Sequence, residues 1–225
     1  MKAIILARGG SKVVPKKNIK LLNNKPLIAY PILAAQKTKN ITNIYVSTDS
    51  EEIADVSRLF GALIIERPEE LATDKSLDVD AFRHAVKSLN DYSDIVHLRA
   101  TTPLVLPNII DEAIEYFYEN SEEATSLRSA HEFSESVYKF LKKEDKYWTG
   151  FFPHLQGEYY NMPRQNFVKS YLPNGYIDVV RPRIFMNKET FHGDKILSFI
   201  TAHVNEIDTF QDFEILELKV KNVSI

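Results

Sequence analysis

The first apolar run, AIIL at residues 3–6, carries no polar interruption and ends against Arg8-Gly9-Gly10-Ser11-Lys12. A short continuous run closed by a turn signal reads as a strand buried on both faces, here over residues 2–7. The period then changes. Residues 26–37 predict a helix, with Pro26 near its start, where the missing N–H costs little. NIYVS (43–47) predicts a second strand, and 51–60 a helix opened by Asp49 and Ser50, both good capping residues. A strand at 62–65, a helix at 77–89, a strand at 95–98, a helix at 109–119 and a strand at 124–128 continue the alternation. Such alternation predicts an α/β fold with a doubly wound, mainly parallel sheet, helices on both faces, and a ligand outside the carboxyl ends of the strands.

The rhythm breaks after Ser129. Residues 137–156 are rich in aromatics and lysine, and 157–173 read GEYYNMPRQNFVKSYLP. Regular patterning returns at 175–180, with a helix near 182–191, a strand at 196–203 and a final helix from 209 to about 220. The chain therefore reads as a single domain, 1–225, with approximately 130–173 inserted into it. The Tyr and Phe side chains of the insertion predict burial against something, a second subunit among the candidates.

Composition changes this picture in a few places. Hydrophobic residues make up 44% of the chain and the net charge is −3, so the basic cluster of Arg8, Lys12, Lys16, Lys17 and Lys20 is a local feature of an acidic protein. Aromatics are not interleaved with a basic stripe, and no nucleic-acid partner is expected. The absence of cysteine excludes disulfides, thiolate nucleophiles and Cys-ligated zinc. None of the six histidines shows a metal-binding spacing; His97, in a core strand, reads as structural, as do His131 and His154. No run approaches the ~20 apolar residues of a membrane helix, and the first apolar stretch is too short for a leader. A cytoplasmic protein without a membrane partner is expected.

Behind the first strand, Gly9 and Gly10 remove side chains that would block approach and can adopt φ > 0. Consecutive amides in such a turn form an anion-binding concavity, and Arg8, Lys12 and Lys17 add charge suited to a polyphosphate. Neither G-x-x-x-x-G-K-[ST] nor G-x-G-x-x-G occurs. ARGGSKVVPKKN does resemble the nucleotide-binding loop of the cytidylyltransferases that activate acidic sugars, the CMP-N-acylneuraminate synthetases and their relatives, which runs roughly A-R-x-G-S-K-G-[IL]-P-x-K-N. Ala7, Arg8, Gly10, Ser11, Lys12, Pro15, Lys17 and Asn18 match it, while Val13 replaces a family glycine. The similarity continues through VSTDSEEIADVSRLFGA (46–62), ERPEELATD (66–74), LRATTPLVLP (98–107), PRQNFVKSYLPNGYIDV (163–179) and EIDTFQDFEILE (206–217).

The resemblance implies a Rossmann-like nucleotidyltransferase that transfers CMP from CTP to an acidic sugar with loss of pyrophosphate. Arg8, Lys12, Lys17 and Asp208 would be its catalytic groups. Ala7, Arg8, Gly10, Ser11, Lys12, Asn18, Arg67 and Ser76 would bind the nucleotide. Arg99, Thr101, Lys139, Arg164, Gln165, Asn174 and Gly175 would face the acceptor. Glu206 and Asp208 would hold Mg²⁺: alternate residues of an extended segment share a face, and oxygen ligands suit that ion. Capping of the last helix by Asp208-Thr209 is the competing role. The insertion would be a dimerisation arm contributing to the neighbour's active site. Two departures bear on the acceptor. Arg99 stands where the family commonly has Gln, which raises a phosphonate or sugar phosphate as an alternative acceptor. Asp178 interrupts a usually apolar run and is expected to meet Arg181, Arg183 or a ligand. Val13 and Glu206 leave open a non-catalytic nucleotide-binding relative.

Overall fold

The computed structural model describes residues 1–222. The opening apolar run is strand β1 (Lys2–Leu6). There follow a short hairpin of β2 (Leu21–Leu22) and β3 (Lys25–Pro26), then α1 (Ala29–Gln36), β4 (Asn43–Thr48), α2 (Glu51–Leu59), β5 (Leu63–Glu66), α3 (Asp78–Leu89), β6 (Ile95–Arg99) and α4 (Pro107–Glu119). Next come β7 (Ser126–Glu132), a second hairpin of β8 (Leu141–Glu144) and β9 (Tyr147–Gly150), β10 (Tyr171–Val180), α5 (Pro182–Phe185), β11 (Ile196–Ile200) and α6 (Phe210–Asn222).

One seven-stranded sheet runs in the order β11, β7, β10, β6, β1, β4, β5. Only β10 is antiparallel to its neighbours; the other pairings are parallel. Alternate residues of β1 face opposite ways. Ala3 and Ile5 join α1, α2 and α4 in one core, around Ile32, Ile53, Ile114 and Phe117. Ile4 joins α3 and α5 in the other, around Phe82, Val86 and Phe185. A third cluster packs α6, through Phe213 and Leu216, on Leu22 and Leu27.

The expected mainly parallel α/β sheet is thus present, with differences in detail. The first helix begins at Ala29 rather than 26. Asn23 and Asn24 have φ of 45° and 63°, the paired positive angles of a two-residue hairpin turn, and they fold Lys25–Pro26 back onto Leu21–Leu22. The helix near 182–191 is only the four residues of α5; beyond it Phe191 packs on Phe82 and Phe185, with ring centroids 5.0 and 5.5 Å apart. β7 and β10 are longer than expected, because Tyr171–Pro173 continue the ladder with Ala130–Glu132. The excursion between them is therefore residues 133–170, built from the β8–β9 hairpin and short 3₁₀ turns.

Candidate active site

Strand order reverses at β1: β4 and β5 lie to one side of it, β6 to the other. The carboxyl ends of these strands open on a shared crevice, the usual ligand position in such sheets. Because β10 runs the other way, it delivers its beginning, Asn174-Gly175, to the same rim. A cleft of about 200 Å³ there is lined by Leu6, Arg8, Ser11, Lys17, Asn18, Arg67, Asp78 and Thr101. The basic loop and Arg67, both expected to serve the nucleotide, are thereby brought together with Asp78 and with Thr101, expected on the acceptor side.

The loop after β1 is held from both sides. Ala7, fully packed, donates its N–H to the Ser47 carbonyl at 3.0 Å, and the Gly9 N–H donates to Asp49 Oδ1 at 2.9 Å. Asn18 Nδ2 donates to the Arg8 carbonyl at 2.9 Å and ties the loop's two ends together. Neither Gly9 nor Gly10 takes a left-handed angle; Lys16 does, at φ 53°. Gly9 is needed for close approach, since a Cβ there would lie 3.0 Å from Ser50 Cβ. Val13 points to solvent at 61% exposure, so its side chain is carried without crowding.

Arg8 and Lys12 converge on one carboxylate. Arg8 Nη1 is 2.9 Å from Asp74 Oδ1, and Lys12 Nζ pairs with the other oxygen. These two contacts, Lys12 first, hold the Asp74 carboxyl below the usual range. Ser76, in the same loop, uses its hydroxyl locally: it accepts from the Thr73 N–H at 3.0 Å and donates to the Glu70 carbonyl at 3.1 Å. Arg67 is buried, its Nε donating to Ser47 Oγ at 3.2 Å and its Nη2 to the Ser47 carbonyl. Burial pulls its pKa down, while Asp49 and Asp78 oppose that.

The 206–208 segment lies along the rim, with the Ile207 N–H donating to the Thr101 carbonyl at 2.9 Å and the Ile207 side chain buried. Lys17 Nζ donates to the Ile207 carbonyl at 2.8 Å and reaches Asp208 Oδ1 at 3.3 Å. Asp208 does not cap α6. Thr209 does, with its Oγ1 accepting from the Asp212 N–H at 3.2 Å while Asp212 Oδ2 accepts from the Thr209 N–H at 2.8 Å, a reciprocal capping box. The last Asp of the 206–212 motif therefore secures the helix and leaves Asp208 to the site. Burial pushes the Glu206 carboxyl up, Arg99 opposes it, and Asp208 pushes it further. Lys17 and Arg128 also oppose the rise, and Glu206 and Asp208 are the two carboxylates of this segment that could hold a divalent cation. Among the described residues no cluster of three or more acidic or His side chains would hold an ion unaided. The donor set thus suits a cation that also takes phosphate oxygens and water.

The acceptor-side residues separate into two groups. Arg99, Thr101, Asn174 and Gly175 stand at the rim. Asn174 is buried and donates from Nδ2 to Thr201 Oγ1 at 2.6 Å, which makes it a brace. Gly175 has φ 59°, and a Cβ on it would come within 2.5 Å of Glu206 Oε1 and 2.9 Å of Arg99 Cδ. Lys139, Arg164 and Gln165 lie on the excursion instead. Lys139 shares a shallow hollow with Trp148 and Phe151; Arg164 and Gln165 line another cleft, where Arg164 Nη2 is 3.5 Å from Glu132 Oε1.

Asp178 does not meet Arg181 or Arg183. Arg181 is committed to the Ser121 and Ala124 carbonyls at 2.6 and 2.9 Å. Asp178, 1% exposed, binds Arg99 Nη2 at 2.8 Å instead. Burial raises its carboxyl, but His97 and Arg99 outweigh burial and hold it well below the usual range. The expected structural His97 is fully packed, with its ring 4.8 Å from that of Phe82. Arg128, which no motif singled out, comes within 3.9 Å of Asp178 Oδ1. Its only sequence signal is a cation inside an otherwise strand-like run, TSLRSA.

A model of the cytidylyltransferase family matches residues 2–161. The chain belongs to the cytidylyltransferase family. It is 33% identical over 215 residues to an N-acylneuraminate cytidylyltransferase of Escherichia coli, a match covering 95% of this chain and 50% of that protein. It is 29% identical over 227 residues to a pseudaminic acid cytidylyltransferase of Campylobacter jejuni, covering 97% and 95%. The chain thus spans about half the length of the Escherichia coli relative and nearly all of the Campylobacter one. Its fold is similar to that of a CMP:2-keto-3-deoxy-manno-octonic acid synthetase complexed with CTP, at a TM-score of 0.75 and 16% identity, with 99% of each chain covered.

Proposed function

We propose that this cytidylyltransferase-family chain transfers CMP from CTP to an acidic sugar, a nonulosonic acid or 3-deoxy-octulosonic acid, releasing pyrophosphate for surface glycan biosynthesis. The observation that carries the reading is the convergence of Arg8, Lys12 and Lys17 with Asp208 and Arg67 on the crevice beside β1. Attack of a sugar hydroxyl on the α-phosphorus builds negative charge on the non-bridging and leaving oxygens, and positioned cations stabilise it. Arg8 and Lys12, exchanging Asp74 for phosphate oxygens, supply that charge, and Lys17 joins them from the Asp208 side. Arg67, fixed by Ser47, faces the base. Glu206 and Asp208 are the residues to hold Mg²⁺, which when bound supplies neutralisation of phosphate charge. Lys139, Arg164 and Gln165 are read as reaching the acceptor from a second copy of the chain, paired through the excursion. The matched names of the bacterial relatives support the acidic-sugar class.

A phosphorylated or phosphonate acceptor, the alternative raised by Arg99, would bring a dianion to a guanidinium group that Asp178 already pairs. The test is pyrophosphate release with Mg²⁺, each of the four ribonucleoside triphosphates in turn, and a panel of neuraminic, legionaminic, pseudaminic and octulosonic acids. Release with CTP and one acid is expected. CTP binding without release for any acid would return the reading to a nucleotide-binding relative.

A further inference from the structure

Among the described residues Asp178 is the one buried carboxylate, and the transfer reaction above gives it no task. In register it stands across from His97 on β6 and Arg128 on β7. Arg99 Nη2 binds its Oδ2 at 2.8 Å and Arg128 Nε approaches its Oδ1 to 3.9 Å. Asp178 answers one of the two guanidinium charges. The other carboxylate near both, the half-buried Glu206, lies at the Gly175 gap and is proposed above to hold the cation, which leaves one guanidinium charge for a ligand. His97, 3.6 Å away, and His192 are both shifted by burial toward their neutral forms.

Three details give the surplus a direction. Arg99 Nη1 is buried without a hydrogen-bond partner, as are Thr102 Oγ1, on a residue 1% exposed, and Asp178 Oδ2, whose contact with Arg99 is an ion pair. The Arg99 and Thr102 side chains border the gap kept open by Gly175, where a Cβ would lie 2.9 Å from Arg99 Cδ, 3.1 Å from Thr102 Oγ1 and 2.5 Å from Glu206 Oε1. Arg128 is 40% exposed, so the cluster is reached from solvent on that side.

We infer that Asp178 is a positioning residue that holds Arg99 and Arg128 side by side, and that these two guanidinium groups, with Thr102 Oγ1, take the single carboxylate of the acceptor. The inference rests on the acidic-sugar reading and adds to it where the acid is recognised. A surplus of one charge matches a carboxylate better than a phosphate dianion, and two planar forks suit its two oxygens.

The experiment measures binding by calorimetry, in the presence of CMP, of each acidic sugar of the panel and of its uncharged methyl ester. The proteins are the wild type, Arg128→Gln, Arg128→Lys and the double variant Arg99→Gln/Asp178→Asn, with CTP binding as a control. Arg128→Gln is expected to weaken the acid by about 10- to 100-fold, the worth of a charged hydrogen-bonding partner. It should leave the ester and CTP unchanged and raise the acceptor KM more than it lowers kcat. Arg128→Lys should recover part of the loss. The double variant keeps the charge of Arg128 and, of the two forks, loses only that of Arg99. It should bind the acid more weakly than wild type yet keep part of the acid's advantage over the ester, and because it leaves no lone buried charge it remains foldable. Unchanged acid binding in Arg128→Gln, or equal losses for acid and ester, would overturn this inference alone. A wild type that binds CTP and none of the acids would overturn the acidic-sugar reading and this inference with it.

Discussion

Replacing Asp178 by Asn removes the buried carboxylate that Arg99 and Arg128 share. Breaking a buried ion pair by deleting one partner costs about 3–5 kcal/mol, because the other charge is left without compensation. Arg99 keeps 23% of its side chain exposed and can shed part of that penalty to water, so the lower end, about 3 kcal/mol, is expected. For a chain of this size 1 kcal/mol moves Tm by roughly 2–4 °C, which gives a loss of about 6–12 °C. Replacing Arg99 by Gln in the same chain removes the stranded charge and should recover most of the loss, with a coupling of about 2 kcal/mol across the double-mutant cycle. Thermal and urea unfolding of the four proteins at neutral pH provide the measurement. Acid titration adds an independent readout. The folded Asp178 carboxyl is held below its unfolded value, so its stabilisation is complete above the unfolded value near 4 and fades as pH falls toward the lower folded one. The gap between wild type and Asp178→Asn should therefore be widest at neutral pH and close below about pH 4. A single variant melting within about 2 °C of wild type, or a double variant no more stable than the single, would refute the ion-pair account.

Four further outcomes follow from the site. Arg8→Ala and Lys12→Ala should each lower pyrophosphate release about 10²- to 10³-fold, with Tm nearly unchanged, since both side chains are substantially exposed at 37% and 79%. Asp74→Asn should bind CTP tighter by calorimetry, because the carboxylate, held ionised by Lys12 and Arg8, competes with phosphate for the same cations. Gly175→Ala combines a φ of 59° with a Cβ 2.5 Å from Glu206 Oε1; a loss of about 1–3 kcal/mol in chemical denaturation and a raised acceptor KM are expected. If the excursion serves the neighbouring copy's site, mixing inactive Arg8→Ala and Arg164→Ala chains should restore about a quarter of wild-type activity, since half the dimers would carry one intact site of two; no restoration would place both residues in one chain's site.

Much of the fold was legible because its signals are local. Apolar runs such as AIIL and NIYVS are bounded by polar turns, and amphipathic stretches between them have helical period. The basic glycine loop was legible for the same reason: its chemistry lies within twelve consecutive residues. Asn23-Asn24 was also a local signal, a turn pair beside two leucines, but the Pro that follows read equally well as a helix start. Asp178 is a different case. Its environment depends on β10 lying between β6 and β7 and running antiparallel to both. Strand order and direction leave no mark in the period of a single strand, so neither the register with His97 and Arg128 nor the pairing with Arg99 was readable. Arg181 and Arg183, close in sequence, were the natural expectation, and topology overrode it.

The same distinction separates the two halves of the site. The groups proposed for the nucleotide lie within one chain, because consecutive parallel strands end on one crevice and each contributes the residues just beyond its carboxyl end. The groups proposed for the acceptor come in part from the antiparallel strand and from the excursion that precedes it. Gly175 and Arg99 reach the rim through the sheet itself. Lys139, Arg164 and Gln165 ride on a segment whose β8–β9 hairpin leaves Tyr147, Trp148 and Phe151 64%, 65% and 52% exposed. A lone two-stranded hairpin is marginal in water, and contiguous exposed aromatics call for a partner surface. The residues proposed to read the acceptor are thus carried on the part of the molecule whose own packing is least complete, which is the reason to test them by mixing two variant chains.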